Sequence, residues 1–287
     1  MTNRRDFLRS AAAFTAGSFI VPSMISCGES KKTIGLQLYS VRDLLNADLN
    51  GTLKAVSQIG YNSLEAAGYN PEDRTFYGMA PADFAGLTKG MGMTLRSSHT
   101  IFEPDNAEKV CEDAAKAGVD YIIYPFLPEQ FRQDLDGFRA TADKFNQLGK
   151  VARKHGLRFG YHNHNFEFVK MEGQLPYDIL LEGTDPSLVV FEVDLYWMTR
   201  GGYDPVEYFN KYPGRFELWH VKDMEKSEDM FFAPVGSGRI DFEKIFAEKK
   251  TSGMKYFFVE QDRFRDQMDP LKSIEMSYNY LSSAKFV

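Results

Sequence analysis

Four apolar stretches in the second half of the chain each run into residues able to bind a metal or carry a proton. They are Phe159-Gly-Tyr-His162-Asn-His164-Asn165-Phe-Glu167, Val190-Phe-Glu192-Val-Asp194, Leu218-Trp-His220-Val-Lys222-Asp223 and Phe257-Phe-Val-Glu260-Gln-Asp262. Imidazole and carboxylate donors together suit Mn2+, Co2+, Zn2+ or Mg2+ and leave coordination positions for two substrate oxygens. An acid that directly follows Val-Val-Phe-Glu-Val in a strand buried on both sides is costly without a strong partner, and a cation is the simplest partner for Asp194. The same holds for Glu260 after Phe-Phe-Val. Lys222, two residues beyond His220, points the same way on a strand and is placed to contact a substrate oxygen.

Residues this far apart in sequence act together only if the fold gathers them. From Thr33 onward the hydrophobic period switches between 2 and 3.6, which predicts parallel βαβ units. Strands are expected near Ile34–Tyr39, Ser63–Ala66, Thr94–Ser98, Tyr121–Tyr124, Arg158–His162, Leu188–Asp194, Phe216–Val221 and Tyr256–Glu260. Helices are expected near Asn50–Ile59, Pro81–Gly90, Asp105–Ala117, Asp136–His155, Tyr177–Glu182, Pro205–Tyr212, Asp241–Lys250 and Pro270–Ser282. Pro81, Pro205 and Pro270 fit the first turn of a helix, and Gly60, Gly118, Gly156 and Gly253 fit helix ends. Eight such pairs in about 250 residues is the size of a (β/α)8 TIM barrel, whose C-terminal strand ends form one face. A doubly wound open sheet is the competing architecture and offers no reason for polar residues at nearly every strand end. Those residues also include Gln37, Tyr39, Glu65, His99 and Tyr124.

Bland readings suit several candidates better. His155, at a helix end, reads as a satisfied surface histidine, and Tyr124 and Phe102 read as packing aromatics. Glu192 and Asp262 read as salt-bridge partners lower in or around the barrel. Trp197 carries weight as a sugar-stacking ring. Gly236-Ser-Gly-Arg239 lacks the spacing and lysine of a P-loop and reads as a flexible loop able to cover the site.

The ordered strand endings, Asp194, then His220 within His-Val-Lys-Asp, then Glu260, resemble those of the xylose isomerase-like TIM-barrel superfamily, often called sugar phosphate isomerase/epimerase. Ile34-Gly-Leu-Gln-Leu-Tyr-Ser-Val-Arg42 and Val235-Gly-Ser-Gly-Arg-Ile-Asp-Phe242 are also similar to that group. The resemblance covers roughly Thr33 to Val287. It implies one divalent metal ion held by a residue from each of the last four strands, and Asp194, His220 and Glu260 match three of those positions. The family's usual glutamate on the fifth strand is replaced by His162, which is taken as the fourth ligand. Glu167 is kept as acid/base or alternative ligand.

The resemblance further implies proton abstraction beside the carbonyl of a keto-sugar, with Glu260 or Glu167 as base and Lys222 assisting. Gln37, Tyr39, Glu65, His99, His164, Trp197 and Lys222 would contact the substrate. Proton return gives an isomerase or epimerase. Expulsion of a β-oxygen gives a lyase or dehydratase acting on a 3-keto-glycoside or keto-cyclitol. From another class, a non-catalytic exported carbohydrate-binding barrel would keep the aromatics and show no metal dependence.

The first thirty residues differ from the rest. Arg4-Arg5-Asp-Phe-Leu precedes an Ala-rich apolar run from Ala11 to Val21, which reads as a twin-arginine-like export signal. Met24-Ile-Ser-Cys27 is like a lipobox, so a lipid anchor at Cys27 would hold a periplasmic barrel of residues 31–287 to the membrane. Cys111 would then be the one remaining thiol and reads as a core filler. The formal net charge is −6, and the body after residue 30 carries −7, which argues against nucleic acid and against a nuclease. A small carbohydrate is the expected partner, and self-association into an oligomer is compatible with the sequence.

Overall fold

A strand bonded on both sides and covered by a helix reads as nearly continuous apolar sequence, and a parallel sheet of such strands can close on itself. The computed structural model describes residues 32–287, where eight parallel strands form a closed barrel. The strands are β1 (Gly35–Gln37), β2 (Ser63–Ala66), β3 (Thr94–His99), β4 (Tyr121–Tyr124), β5 (Arg158–His162), β6 (Val189–Asp194), β7 (Leu218–Val221) and β8 (Tyr256–Val259). They neighbour one another in chain order, and β1 closes on β8 with Gly35 opposite Phe258. The helices between and after them are α1 (Leu49–Ile59), α2 (Pro81–Gly90), α3 (Ala107–Lys116), α4 (Leu135–Lys154), α5 (Pro176–Gly183), α6 (Pro205–Lys211), α7 (Phe242–Ala247) and α8 (Pro270–Ser283). The export signal and the lipidation of Cys27 fall on residues outside the described part of the chain. Among the described residues no helix is long and apolar enough to cross a membrane. Cys111 is buried in α3 with no disulfide partner.

Three local features differ from the sequence expectation. The first strand stops at Gln37, because its side chain accepts the Tyr39 N–H at 3.0 Å and winds Leu38–Val41 into a 3-10 turn. The helix expected over Asp241–Lys250 breaks at Glu248, and Lys249–Ser252 forms a separate turn of helix ended by left-handed Gly253. A short helix over Leu195–Arg200 follows β6 directly, capped by Asp194.

Alternation along the strands decides what faces the lumen. Trp219 packs outward on Phe209 and Phe246, with ring centroids 5.0 and 5.2 Å away. Its neighbour Leu218 faces inward and joins Tyr121, Ile123, Val190 and Phe258 in a separate buried cluster. This cluster plugs the lower lumen. Two residues further along β6, β7 and β8 stand Glu192, His220 and Glu260, so the same alternation that builds the plug places a polar layer above it.

Candidate active site

Register brings the strand-end residues together. His162 lies opposite Glu192, Asp194 opposite His220, and Gln37 opposite Glu65. Two overlapping groups of potential ligand atoms result, each within 4.8 Å of one another: His162, Asp194, His220 and Glu260, and His99, His162, Glu192 and His220. The first group is the metal set expected from the sequence. His220 stands between the groups, with Nδ1 2.6 Å from Glu260 Oε2 and Nε2 2.5 Å from Glu65 Oε2. His162 likewise has Nε2 3.6 Å from Asp194 Oδ2 and Nδ1 3.3 Å from Glu192 Oε2.

The backbone holds these groups in place. Asp194 caps its short helix by accepting the Trp197 N–H at 2.7 Å, so the bland reading of this residue as a cap and the sharp one as a ligand describe one side chain with two oxygens. The Asp194 N–H donates to Asn163 Oδ1 at 3.1 Å, and the Tyr177 hydroxyl donates to the same oxygen at 3.2 Å.

Charge is concentrated here. Lys222 places its ammonium 2.9 Å from Asp194 Oδ2, 2.6 Å from Glu260 Oε2 and 2.8 Å from Asp262 Oδ1. Burial opposes a charged lysine, but these three carboxylates outweigh it and raise its pKa. Burial likewise opposes a protonated His220, and Glu192, Glu260 and Glu65 outweigh it in turn. Glu260 is buried too, yet Lys222 and His220 hold its carboxyl well below the usual range. Burial pushes Glu192 up to about 7, and burial with the neighbouring Glu192 charge raises Glu65. Burial lowers His99 to about 4 and His162 well below its ordinary value, so both rings are neutral and able to ligate.

These residues fit a divalent ion. Glu65 Oε1 and Glu192 Oε1 lie buried without a hydrogen-bond partner, and Asp194 Oδ2 meets Lys222 by charge but receives no directed hydrogen bond. Buried carboxylates outnumber the cations that face them, Lys222 and the protonated His220, and imidazole with carboxylate is a donor set that Mn2+, Co2+, Zn2+ and Mg2+ accept once His220 has given up its proton.

A cavity of about 820 Å3 opens above this layer. Of the residues expected to serve it, Tyr39, His99, His162, His164, Trp197, Lys222 and Glu260 line its wall. Asp194 and His220 lie fully buried behind them. Gln37 and Glu65 do not reach the cavity, contrary to their expected role as substrate contacts. The Gln37 amide instead donates to Glu65 Oε2 at 2.8 Å, and both side chains are fully buried. Glu167 is a further correction. It sits on a 3-10 turn at Phe166–Phe168, where one oxygen accepts the Tyr161 hydroxyl and the other the His164 N–H at 3.0 Å. Those bonds turn it away from the ligand cluster, so it does not reach back to the His162 position.

Glu192 takes the first of its two expected places, low in the barrel, with Oε2 2.6 Å from His99 Nε2, but sequence reasoning missed that it joins a group of potential ligands. Its position two residues before Asp194 on the same strand was the available signal. It also missed Asn163 and Asp223. Asp223 accepts the N–H groups of Met224, Gly236, Gly238 and Ile240 at 2.7–3.2 Å, which pins the Gly-Ser-Gly-Arg loop expected to be flexible. That loop contributes nothing to the cavity wall. Tyr124 and Phe102 are buried, as packing aromatics should be, and His155 pairs with Glu108 at the surface.

The chain's sequence matches a family model described as xylose isomerase-like TIM barrel over residues 53–281. Over 157 residues, 48% of this chain and 52% of the relative, it is 31% identical to an inosose dehydratase of Clostridium beijerinckii. The chain thus spans about half the length of the curated relatives it matches. A crystal structure of a sugar phosphate isomerase/epimerase from Parabacteroides distasonis is similar with TM-score 0.80 and 33% identity, covering 89% of this chain and 99% of that one. A structure of IolI protein with a bound zinc atom shares the fold, with TM-score 0.67 and 15% identity over 89% of this chain and 99% of its own. The family match takes in most of the barrel, β2 to β8, and with it the polar layer assembled above: the chain belongs to the xylose isomerase-like TIM-barrel family.

Proposed function

We propose that this protein is a divalent-metal-dependent enzyme that removes the proton beside the carbonyl of a keto-sugar or keto-cyclitol, completing an isomerisation or epimerisation. The observation that carries this reading is the convergence of His162, Asp194, His220 and Glu260 at the base of a cavity whose wall offers both a carboxylate and an ammonium. Those four residues would hold the ion, which when bound polarises the carbonyl and a neighbouring hydroxyl oxygen and so acidifies the hydrogen between them.

The chain's own groups then divide the proton work. Glu260, kept ionised by the Lys222 ammonium, is the proton acceptor on the cavity wall. Its low pKa makes it a weak base, so most of the driving force has to come from the acidified substrate. Lys222 presents an ammonium to the same space, a fixed positive charge able to stabilise an oxygen that develops charge or departs, though its raised pKa makes it a weak proton donor. Trp197 and Tyr39 supply faces for a sugar ring. That ammonium favours a second outcome, loss of a β-oxygen. The relatives named inosose dehydratase support it, an inosose being a keto-cyclitol.

The test is to load the metal-free protein with Mn2+, Co2+ or Zn2+ and incubate it in D2O with 3-keto-glucosides and inososes. Deuterium at the α-carbon, with an isomer, epimer or dehydrated product, is expected with metal and lost on chelation or in Asp194→Asn. No exchange and no product with any metal would sink the reading in favour of a carbohydrate-binding barrel. We also infer export directed by Arg4-Arg5 and anchoring at Cys27, which an unmodified mature N-terminus upstream of Cys27 would overturn.

A further inference from the structure

The cavity above the polar layer is larger than the ring it is proposed to hold. Even if each non-hydrogen atom of a hexose took the roughly 30 Å3 that a water molecule occupies in the liquid, the sugar would fill less than half of the about 820 Å3 available. The rim is also divided in kind. Lys222, Glu260 and Asp262 follow β7 and β8, whereas Ile101, Phe126, His164 and Trp197 follow β3, β4, β5 and β6 in turn. Four consecutive strand ends thus carry one largely apolar wall. Among the described residues four large hydrophobic side chains are exposed, and two of them, Tyr39 and Ile101, line this cavity.

The wall is continuous and held from behind. The Phe126 ring meets the His164 ring edge-on at 5.2 Å, and His164 lies 5.6 Å from Trp197. Phe166, outside the cavity, stacks on His164 at 5.7 Å and is itself covered by the Arg132 guanidinium at 3.9 Å. Side chains fixed in this way lose little freedom when a ligand settles on them. A second sugar would bring hydroxyls that need hydrogen-bond partners once water is excluded, and the side chains of Ile101, Phe126 and neighbouring Pro125 offer none. A flat apolar group covers them without that cost.

We propose that the rim from β3 to β6 is a subsite for a flat apolar aglycone, so that the substrate is a keto-glycoside whose sugar ring lies over the polar layer and whose aglycone lies on Ile101, Phe126 and Trp197. The placing of the sugar ring rests on the reading given under Proposed function, and the aglycone subsite extends it. A free keto-sugar or keto-cyclitol leaves the wall uncovered and forgoes the apolar burial that an aglycone gains there.

The test uses the full chain loaded with Mn2+ and titrated in a calorimeter with methyl β-glucoside, phenyl β-glucoside and cellobiose. These share one ring, differ in what the anomeric oxygen carries and, lacking a ketone, bind without reacting. Phenyl glucoside is expected to bind roughly 10- to 100-fold more tightly than methyl glucoside, with cellobiose within about threefold of the latter. Ile101→Asn and Phe126→Ala, each checked for its fold by circular dichroism, should each remove about 3- to 10-fold of that preference. Ile101 is exposed, so its variant decides if Phe126→Ala does not fold. Equal affinities, no binding of any of the three, or a phenyl preference that neither variant moves overturns the subsite. Cellobiose as the tightest ligand overturns it in favour of a second sugar. Failure of the metal reading looks different: the phenyl preference then survives chelation while the exchange in D2O is absent with every metal. Exchange that proceeds with equal kcat/KM for methyl and phenyl 3-keto-glucosides sinks the subsite and leaves the metal reading standing.

Discussion

Both oxygens of Glu167 are taken, one by the Tyr161 hydroxyl and one by the His164 amide, in a setting without exposure to water. Burial outweighs these hydrogen bonds and pushes the carboxyl from 4.5 up to about 7. A raised folded-state pKa means the fold binds the proton more tightly than the unfolded chain does. The resulting stability is fully present below about pH 4.5 and is lost as pH rises through about 7, at most about 3 kcal/mol in all. Glu167→Gln lacks this term. The stability of the wild type relative to the variant, read from urea midpoints, should therefore fall between pH 5 and pH 8, and an unchanged difference would mean that the folded carboxyl keeps an ordinary pKa. At this scale the sequence was legible where a residue ended a strand, as for His162, Asp194 and His220. It was not legible for Glu167, because a 3-10 turn of three residues leaves no periodic trace and reverses which way the side chain points.

The elements were easier to read than the loops between them. The eight strands and eight helices stand where the hydrophobic period places them, apart from the early stop of β1 and the break of α7 at Glu248, since each must bury one face against the sheet or the helix layer. The segment after β7 was read wrongly for a definite reason. Its two glycines look like freedom in sequence, but Gly236 has φ +90° and a Cβ on Gly238 would lie 2.3 Å from both Asp223 Oδ1 and Met224 O. They are glycines so that the backbone can wrap a buried carboxylate. Removing that carboxylate in Asp223→Ala leaves four loop amides without their acceptor, which should cost roughly 2–4 kcal/mol. Thermal unfolding would show the loss, and hydrogen exchange should speed up at Met224, Gly236, Gly238 and Ile240 before the barrel strands. Slow exchange at those amides in the variant would show that the loop holds itself.

At the largest scale, residues 32–287 form a barrel filled by an apolar plug below and crowded with buried charge above, and the two halves of that lumen follow from one alternation along the strands. The architecture was legible from period and count. The pairing of charges was not, because which carboxylate meets Lys222 and which meets only imidazole depends on register between strands far apart in sequence. The placement of the two tryptophans turns this organisation into an optical property. Trp219 is sealed between Phe209 and Phe246, where solvent and ligand do not reach it. Trp197 faces the cavity with its indole N–H unbonded and its ring 5.6 Å from His164. Burial lowers that imidazole to about 3, so it stays uncharged at neutral pH and does not act as a cationic quencher. Emission should therefore divide into a blue component indifferent to ligand and a redder one that changes whenever the cavity fills. Trp197→Phe should leave only the blue, unresponsive component. The protein thus carries its own gauge of occupancy, and a sugar that binds by calorimetry without moving the redder emission is bound somewhere other than the cavity.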